Sequence, residues 1–384
     1  MDIIQVFQRA VARHRERLFL FDRQNEVTYS EADARANAIA AELVGRGISD
    51  GETLGLAASD RVSLWLAIIG AWKAGALPSL IDARTAAEQL PYFIEDIGAR
   101  LIVAAPEIAN RLTTAGATAL VDIDRVGAGR ASAPLNRHGP AAPLYLSYTS
   151  GTTGLPKGAI LRSEPVTLGA SCIADRLQLS RNDILLATTP ISSSFQLVAA
   201  LMPALHAGAA VGLVAGLTPE VIWDVALERR ASILVAYPLT LADMVHTPRA
   251  ASGNSPFRLA LSGGSSLAPQ LKQVYRERLG IPLLESYGQS ELGGFMVMGS
   301  RYDDEQALAA GFAGRPLPDR LAYIGDADGR ELPAGQVGEV LVTHGFFDEY
   351  RNKPDKTAEA KRGGVLHTGD LGIAHEDGYL KVLG

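Results

Sequence analysis

The segment Tyr148-Thr149-Ser150-Gly151-Thr152-Thr153-Gly154-Leu155-Pro156-Lys157-Gly158 gathers three glycines, four serine or threonine hydroxyls and one lysine in a single turn-rich stretch. That composition suits a phosphate cradle. Glycines let backbone N–H groups approach an anion closely, serine and threonine add hydroxyl donors, and a lysine supplies a point charge for the outer phosphates. The common phosphate-loop pattern G-x-x-x-x-G-K-[ST] does not fit, because Pro156 stands where a glycine should precede Lys157. A kinase or GTPase of that type is therefore disfavoured. A serine hydrolase fails for want of a G-x-S-x-G elbow. The seven histidines are scattered without a His/Cys cluster, which argues against zinc. The single cysteine, Cys172, falls on an amphipathic helical pattern, reads as an inert thiol and excludes an intrachain disulfide.

The elements that must position this loop alternate helical and extended periodicity. An apolar run, Pro143 to Leu146, reads as the strand delivering it. Ser30-Glu31-Ala32-Asp33 has the form of a capping box opening a helix with Ala36, Ile39, Ala40 and Leu43 on one face and Gly45 and Gly47 at its end. Strands are expected at Thr53 to Ala58, Leu101 to Ala104, Ile184 to Thr188, Ile233 to Ala236, Leu259 to Leu261 and Pro282 to Glu285. Helices are expected at Ser63 to Lys73, Pro219 to Arg229 and Ala268 to Arg278. The pattern implies an α/β fold of largely parallel sheets covered on both faces. After Gly299 short strands separated by turns follow, at Leu321 to Ile324, Val337 to Thr343 and Gly378 to Leu383, the pattern of a smaller β subdomain. Residues 1–300 thus read as an α/β core of two subdomains and 301–384 as a β-rich subdomain.

Four segments in order resemble the acyl-adenylate-forming superfamily of acyl-CoA ligases, nonribosomal adenylation domains and luciferases. They are the loop around Lys157, Tyr287-Gly288-Gln289-Ser290-Glu291, His367-Thr368-Gly369-Asp370, and the hinge-like Gly378-Tyr379-Leu380-Lys381-Val382-Leu383-Gly384. The resemblance covers essentially the whole chain and implies the family's large domain, with two sheets wrapped by helices and a barrel-like β subdomain. It also implies a carboxylate attacking the α-phosphorus of ATP as pyrophosphate leaves. Thr149, Ser150, Gly151, Thr152, Thr153, Gly154 and Lys157 would then hold the β- and γ-phosphates. Glu291 would hold Mg²⁺, which prefers one or two carboxylates plus phosphate oxygens and water, so Lys157 and Glu291 are the candidate catalytic pair. Tyr287 would lie along the adenine beside Gly288, with Ser286, Gln289, Gly263 and Gly264 lining the nucleotide site and Ser290 offering a hydroxyl to the α-phosphate. Asp370 would accept both ribose hydroxyls.

The acyl pocket implied by the same resemblance contains Ser193, Phe195, Tyr237, Gly264, Gly293 and Gly294. Ser193 stands where relatives often carry histidine. No aspartate occurs between Pro190 and Gln196 to pair with an α-amine, and a buried unpaired ammonium would be costly. An apolar fatty or aromatic acid is expected over an amino acid, with coenzyme A or a carrier-protein thiol as acceptor and an acyl carrier protein as a further partner. The sequence ends where the resemblance would continue into a small C-terminal domain carrying a catalytic lysine, so a domain impaired on its own is expected. The alternative is a non-catalytic nucleotide-binding module acting through a partner. The formal charge of −6, with no basic block, argues against nucleic acid. The longest apolar run, Leu64 to Trp72, is too short to span a bilayer, and the start lacks a signal-peptide pattern, which makes the cytoplasm the expected compartment.

Overall fold

A computed structural model of the chain describes residues 2–128, 135–139, 141–149, 155–192, 194–251, 253–304, 306, 307 and 310–384. Two α/β sheets face each other across buried helices. The larger runs in the order Arg315–Pro316, Gly294–Met298, Leu283–Gln289, Leu259–Ser262, Ile233–Ala236, Ile184–Ala187, Ala210–Leu213, Leu18–Phe21, Glu26–Thr28. Its interior is parallel and only its edges are antiparallel. The second sheet runs Leu120–Asp122, Leu101–Ala104, Thr53–Ala58, Leu77–Asp82, Pro143–Tyr148, Gly158–Arg162, closing on an antiparallel hairpin. Near-continuous burial of strands such as Thr53–Ala58 is what coverage on both faces demands.

The helix Val62–Lys73 explains how the sheets are joined. It is apolar all round, with Trp65 and Trp72 wholly buried, as a helix sealed on every side must be. A Cβ on its Gly70 would come within 2.5 Å of Ile39 Cγ2, so glycine permits the close crossing against the helix Tyr29–Gly45. Lys73 is 1% exposed, and its ammonium is held by Asp33 at 2.7 Å and Asn37 Oδ1 at 2.8 Å. From the same helix the Trp72 indole donates to Leu144 O at 2.8 Å, fixing the strand that leads to the lysine loop.

The helix cap differs from the expected Ser30 box. Thr28 Oγ1 accepts from Glu31 N at 3.2 Å while Glu31 accepts from Thr28 N at 2.8 Å. Thr28 is the last strand residue and still extended, the backbone an N-cap needs, whereas Ser30 already lies in the first helical turn. The third sheet is antiparallel, in the order Ala322–Gly325, Val337–Val342, Leu366–Ala374, Leu380–Val382. It begins at Ala322, because Arg315–Pro316 still pairs with the large sheet.

Candidate active site

Three sequence segments meet where the sheets converge. The strand Leu283–Gln289 turns back through the short 3₁₀ turn Ser290–Leu292 into Gly294–Met298. The reversal depends on glycine: Gly293 has φ +53°, and a Cβ on Gly288 would lie 2.3 Å from Gly294 O. At the strand's end the Tyr287 hydroxyl donates to Asp370 Oδ2, and Gln289 Nε2 donates to the same oxygen and to Thr368 O, each at 2.9 Å. Asp370 lies in Leu366–Ala374, where Gly369 (φ +78°) donates its N–H to Glu339 Oε1 at 2.9 Å. His367 Nδ1 meets Glu339 Oε2 at 2.8 Å. Burial first, then the neighbouring Asp370, raises the Tyr287 pKa well above that of an ordinary phenol, so this hydroxyl remains a donor.

The other half of the site starts at the lysine loop. Ser150, Gly151, Thr152, Thr153 and Gly154 lie outside the described residues. The loop's ends are tied together by Thr149 N donating to Lys157 O at 3.0 Å, above the pair Tyr148 and Gly158. Thr149 Oγ1 is buried without a partner among the described residues, a polar atom unmet as a ligand-holding loop would leave it. Tyr148 is anchored by its hydroxyl to Asp96 Oδ2 at 2.6 Å, and Lys353 reaches the other oxygen of Asp96 at 3.2 Å. Lys157 Nζ stands 4.6 Å over the ring of Tyr350, whose hydroxyl donates to Glu291 Oε1 at 2.6 Å.

Tyr350 was not among the residues singled out from the sequence. It belongs to a stretch that crosses back from the small sheet and docks along Gly158–Arg162. Asp348 N donates to Ile160 O at 2.8 Å, Ile160 N to Glu349 O at 2.9 Å, and Arg351 N to Gly158 O at 2.8 Å. Phe347 N also donates to Glu291 O. The visible signal is slight: two aromatics before Tyr350, then Asn352 in the left-handed region and Pro354 opening the next helix.

The glycine-rich segment after Leu259–Ser262 is packed where nothing larger fits. A Cβ on Gly263 would lie 2.5 Å from the Phe195 ring and 2.6 Å from Ser286 Oγ, itself bonded to Ser262 O at 2.7 Å. Gly264 has φ +80°, and its Cβ would lie 2.7 Å from the Tyr237 ring. Phe195 contacts Tyr237 and Phe295 at centroid distances of 5.5 and 5.6 Å. Behind Tyr237 opens a cleft of about 550 Å³ at the carboxyl ends of the strands, with Leu80, Leu217 and Ile222 among its apolar walls. Of the residues expected to line an acyl pocket, Tyr237 reaches it, whereas Gly293 abuts Val166 and Leu161 and Gly294 faces Arg320. Ser193 lies outside the described residues.

Asp82 also lines the cleft. Its oxygens are taken by Arg84 at 2.7 and 3.0 Å and by Ser192 Oγ at 2.6 Å. Burial alone would raise this carboxyl, but those bonds outweigh it and bring it down to about 2. Nearby Asp60 behaves oppositely: burial pushes it up to about 7, against bonds from Trp65 and Gln196.

The family model for AMP-binding enzymes matches residues 7–346. The chain belongs to the AMP-binding enzyme family. A long-chain-fatty-acid–CoA ligase of Mycobacterium tuberculosis, FadD13, is 29% identical over 93% of this chain and 73% of its own length. An indoleacetate–CoA ligase of Aromatoleum aromaticum is 33% identical over 64% of this chain and 48% of its own. Among solved structures, ATP-bound MatB from Rhodopseudomonas palustris superposes with a TM-score of 0.90 at 26% identity, covering all of this chain and 79% of that one.

A triphosphate bound here would bring Mg²⁺ with it. Glu291 fits that ion: it is one carboxylate with a hydroxyl donor fixing one oxygen. Among the described residues no group of three or more His, Cys, Asp or Glu could hold a metal by itself. Mg²⁺ shared with phosphate oxygens and water requires no more. No helix among the described residues is long and apolar enough to cross a membrane. Cys172 is half-buried, and burial raises its thiol to about 11, which leaves it protonated and inert.

Proposed function

We propose that the chain activates a fatty or aromatic carboxylic acid as an acyl-adenylate, using ATP and releasing pyrophosphate, for transfer to a thiol such as that of coenzyme A. The observation that carries this reading is the convergence of Tyr287, Gln289 and Asp370 beside Glu291 and Lys157, two clusters suited to the two ends of one nucleotide. Asp370 Oδ2 takes both bonds from its neighbours, which turns the carboxylate to present its other oxygen to ribose hydroxyls. Tyr287 offers a ring fixed at its far end for the adenine. Lys157, with the loop amides and hydroxyls, binds the outer phosphates, and Glu291 holds Mg²⁺, which when bound neutralises phosphate charge.

The acid's tail is assigned to the cleft behind Tyr237. Leu80, Leu217 and Ile222 give it an apolar lining for an aliphatic or aryl group, alongside the polar Arg84, Thr188 and Thr240. The one carboxylate among its described lining residues, Asp82, is occupied by Arg84 and Ser192, so an α-ammonium finds no counter-ion there. Relatives named for a long-chain fatty acid and for indoleacetate point the same way. The test is pyrophosphate release from ATP and Mg²⁺ across a panel of aliphatic, aromatic and amino acids. Release is expected with an apolar acid. Nucleotide binding without release for any acid would identify a binding module working through a partner, and release with amino acids alone would overturn the substrate class.

A further inference from the structure

Lys157 and Glu291 carry opposite charges and meet the same side chain, one over its ring and the other at its hydroxyl. Left to themselves, an ammonium and a carboxylate at the edge of a partly buried site would pair directly, and each would be spent on the other. Tyr350 prevents this by geometry. Its ring lies under the ammonium at 4.6 Å and its hydroxyl bonds the carboxylate at 2.6 Å. We infer that Tyr350 is a positioning residue that keeps Lys157 and Glu291 apart and aimed, so that the cation stays available to phosphate and the carboxylate to metal. The inference rests on the functional reading above.

The residue is built to be stiff. Tyr350 is 4% exposed, its ring is 4.4 Å from that of Phe347, and its backbone N–H donates to Thr357 Oγ1 at 2.9 Å. The neighbouring residues Asp348, Glu349 and Arg351 are bonded to Gly158–Arg162, the strand that begins immediately after Lys157. Ring and lysine are thereby referenced to one backbone. A cation over an aromatic face is held more weakly than one in an ion pair, so an arriving triphosphate can draw Lys157 away. A carboxylate turned by a hydroxyl behind it is ready for its metal, as outer-shell donors do for metal-binding carboxylates generally.

The two functions of the side chain separate by substitution. Tyr350→Phe keeps the ring and removes the hydroxyl, and Tyr350→Leu removes both. Equilibrium binding of a non-hydrolysable ATP analogue is measured without metal, and Mn²⁺ binding to the protein–analogue complex is read by electron paramagnetic resonance. Tyr350→Phe is expected to weaken Mn²⁺ binding by about tenfold or more. It should leave metal-free nucleotide binding within about twofold, because the cation–π contact survives. Tyr350→Leu should also weaken metal-free nucleotide binding by about tenfold, as Lys157 falls into a charge pair with Glu291. Adding Glu291→Gln to Tyr350→Leu should restore most of that loss, since the Glu291 carboxylate can no longer trap the lysine. A double variant no better than Tyr350→Leu would reduce Tyr350 to packing and overturn the inference, as would Phe and unaltered proteins with equal Mn²⁺ affinity. An unaltered chain that binds no nucleotide would overturn the functional reading, and this inference with it.

Discussion

The two ends of the proposed nucleotide site are built on opposite plans. At the adenosine end the polar side chains are tied to one another beforehand: Tyr287 and Gln289 converge on one oxygen of Asp370, and Glu339 ties down His367 and Gly369. At the phosphate end the charged groups are held apart, with Lys157 over a ring and Glu291 on the hydroxyl of that ring. A preassembled cluster serves to recognise a neutral, shape-defined group, where each bond made beforehand lowers the ordering cost of binding. Charges that are separated and unspent serve a reacting group whose charge changes, because only interactions that strengthen in the transition state raise the rate.

The contrast predicts different kinetic signatures. Lys157→Met should show the largest effect, cutting pyrophosphate release at saturating ATP by about a hundredfold, the usual worth of one preorganised charge donor of about 3 kcal/mol. Stopped-flow rates unchanged by that substitution would break the contrast. Asp370→Ala should instead act mainly on binding. Losing two charge-assisted bonds of roughly 1.5 kcal/mol each weakens nucleotide affinity by about a hundredfold, read by calorimetry, with a smaller change in the maximal rate. Tyr287→Phe, which keeps the ring and drops one bond to Asp370, should cost about tenfold in affinity by the same reckoning.

The smallest expected effect on the site comes from Asp60, a half-buried carboxyl group belonging to neither end. Asp60→Asn should leave nucleotide affinity unchanged, yet alter how stability depends on pH. The folded state holds the Asp60 proton up to about pH 7, whereas an unfolded aspartate releases it near 3.8. The native state therefore binds more protons across that window, and the unaltered protein loses stability relative to Asp60→Asn as pH rises from about 4 to about 7, by a few kcal/mol. Paired melting curves across that range would show the gap opening, and a constant gap would mean that Asp60 ionises normally.

How much of this was legible beforehand depends on distance along the chain. Tyr287, Gln289 and Glu291 are legible because they stand together in five contiguous residues, Tyr287-Gly288-Gln289-Ser290-Glu291, that resemble one element of the family. Their partner Asp370 was legible as a residue, but not as part of a strand. His367-Thr368-Gly369-Asp370 reads locally as a turn, and pairing on both sides with Val337–Val342 and Leu380–Val382 overrides that preference. Tyr350 was illegible because nothing local marks it: its meaning lies in a bond to a residue 59 positions away. Ser30 reads as the cap from Ser30-Glu31-Ala32-Asp33 alone, and only the end of Glu26–Thr28 shows that Thr28, two residues earlier, holds that place.

The crossing stretch that docks on Gly158–Arg162 also sets a timetable for the chain's synthesis. Arg162 finds its partner Asp348 only 186 positions later, and Arg351 reaches back 298 positions to Thr53. At ribosomal speeds of roughly 5–20 residues per second, that first interval is on the order of ten to forty seconds. Throughout it the strand carrying the lysine loop is a sheet edge with unmet backbone groups, a template for pairing with a neighbouring nascent chain. A segment made 186 positions later is thus the one that both completes the phosphate end and seals that edge. Translation pauses between residues 162 and 348 would be felt first as aggregation, and not as lost activity.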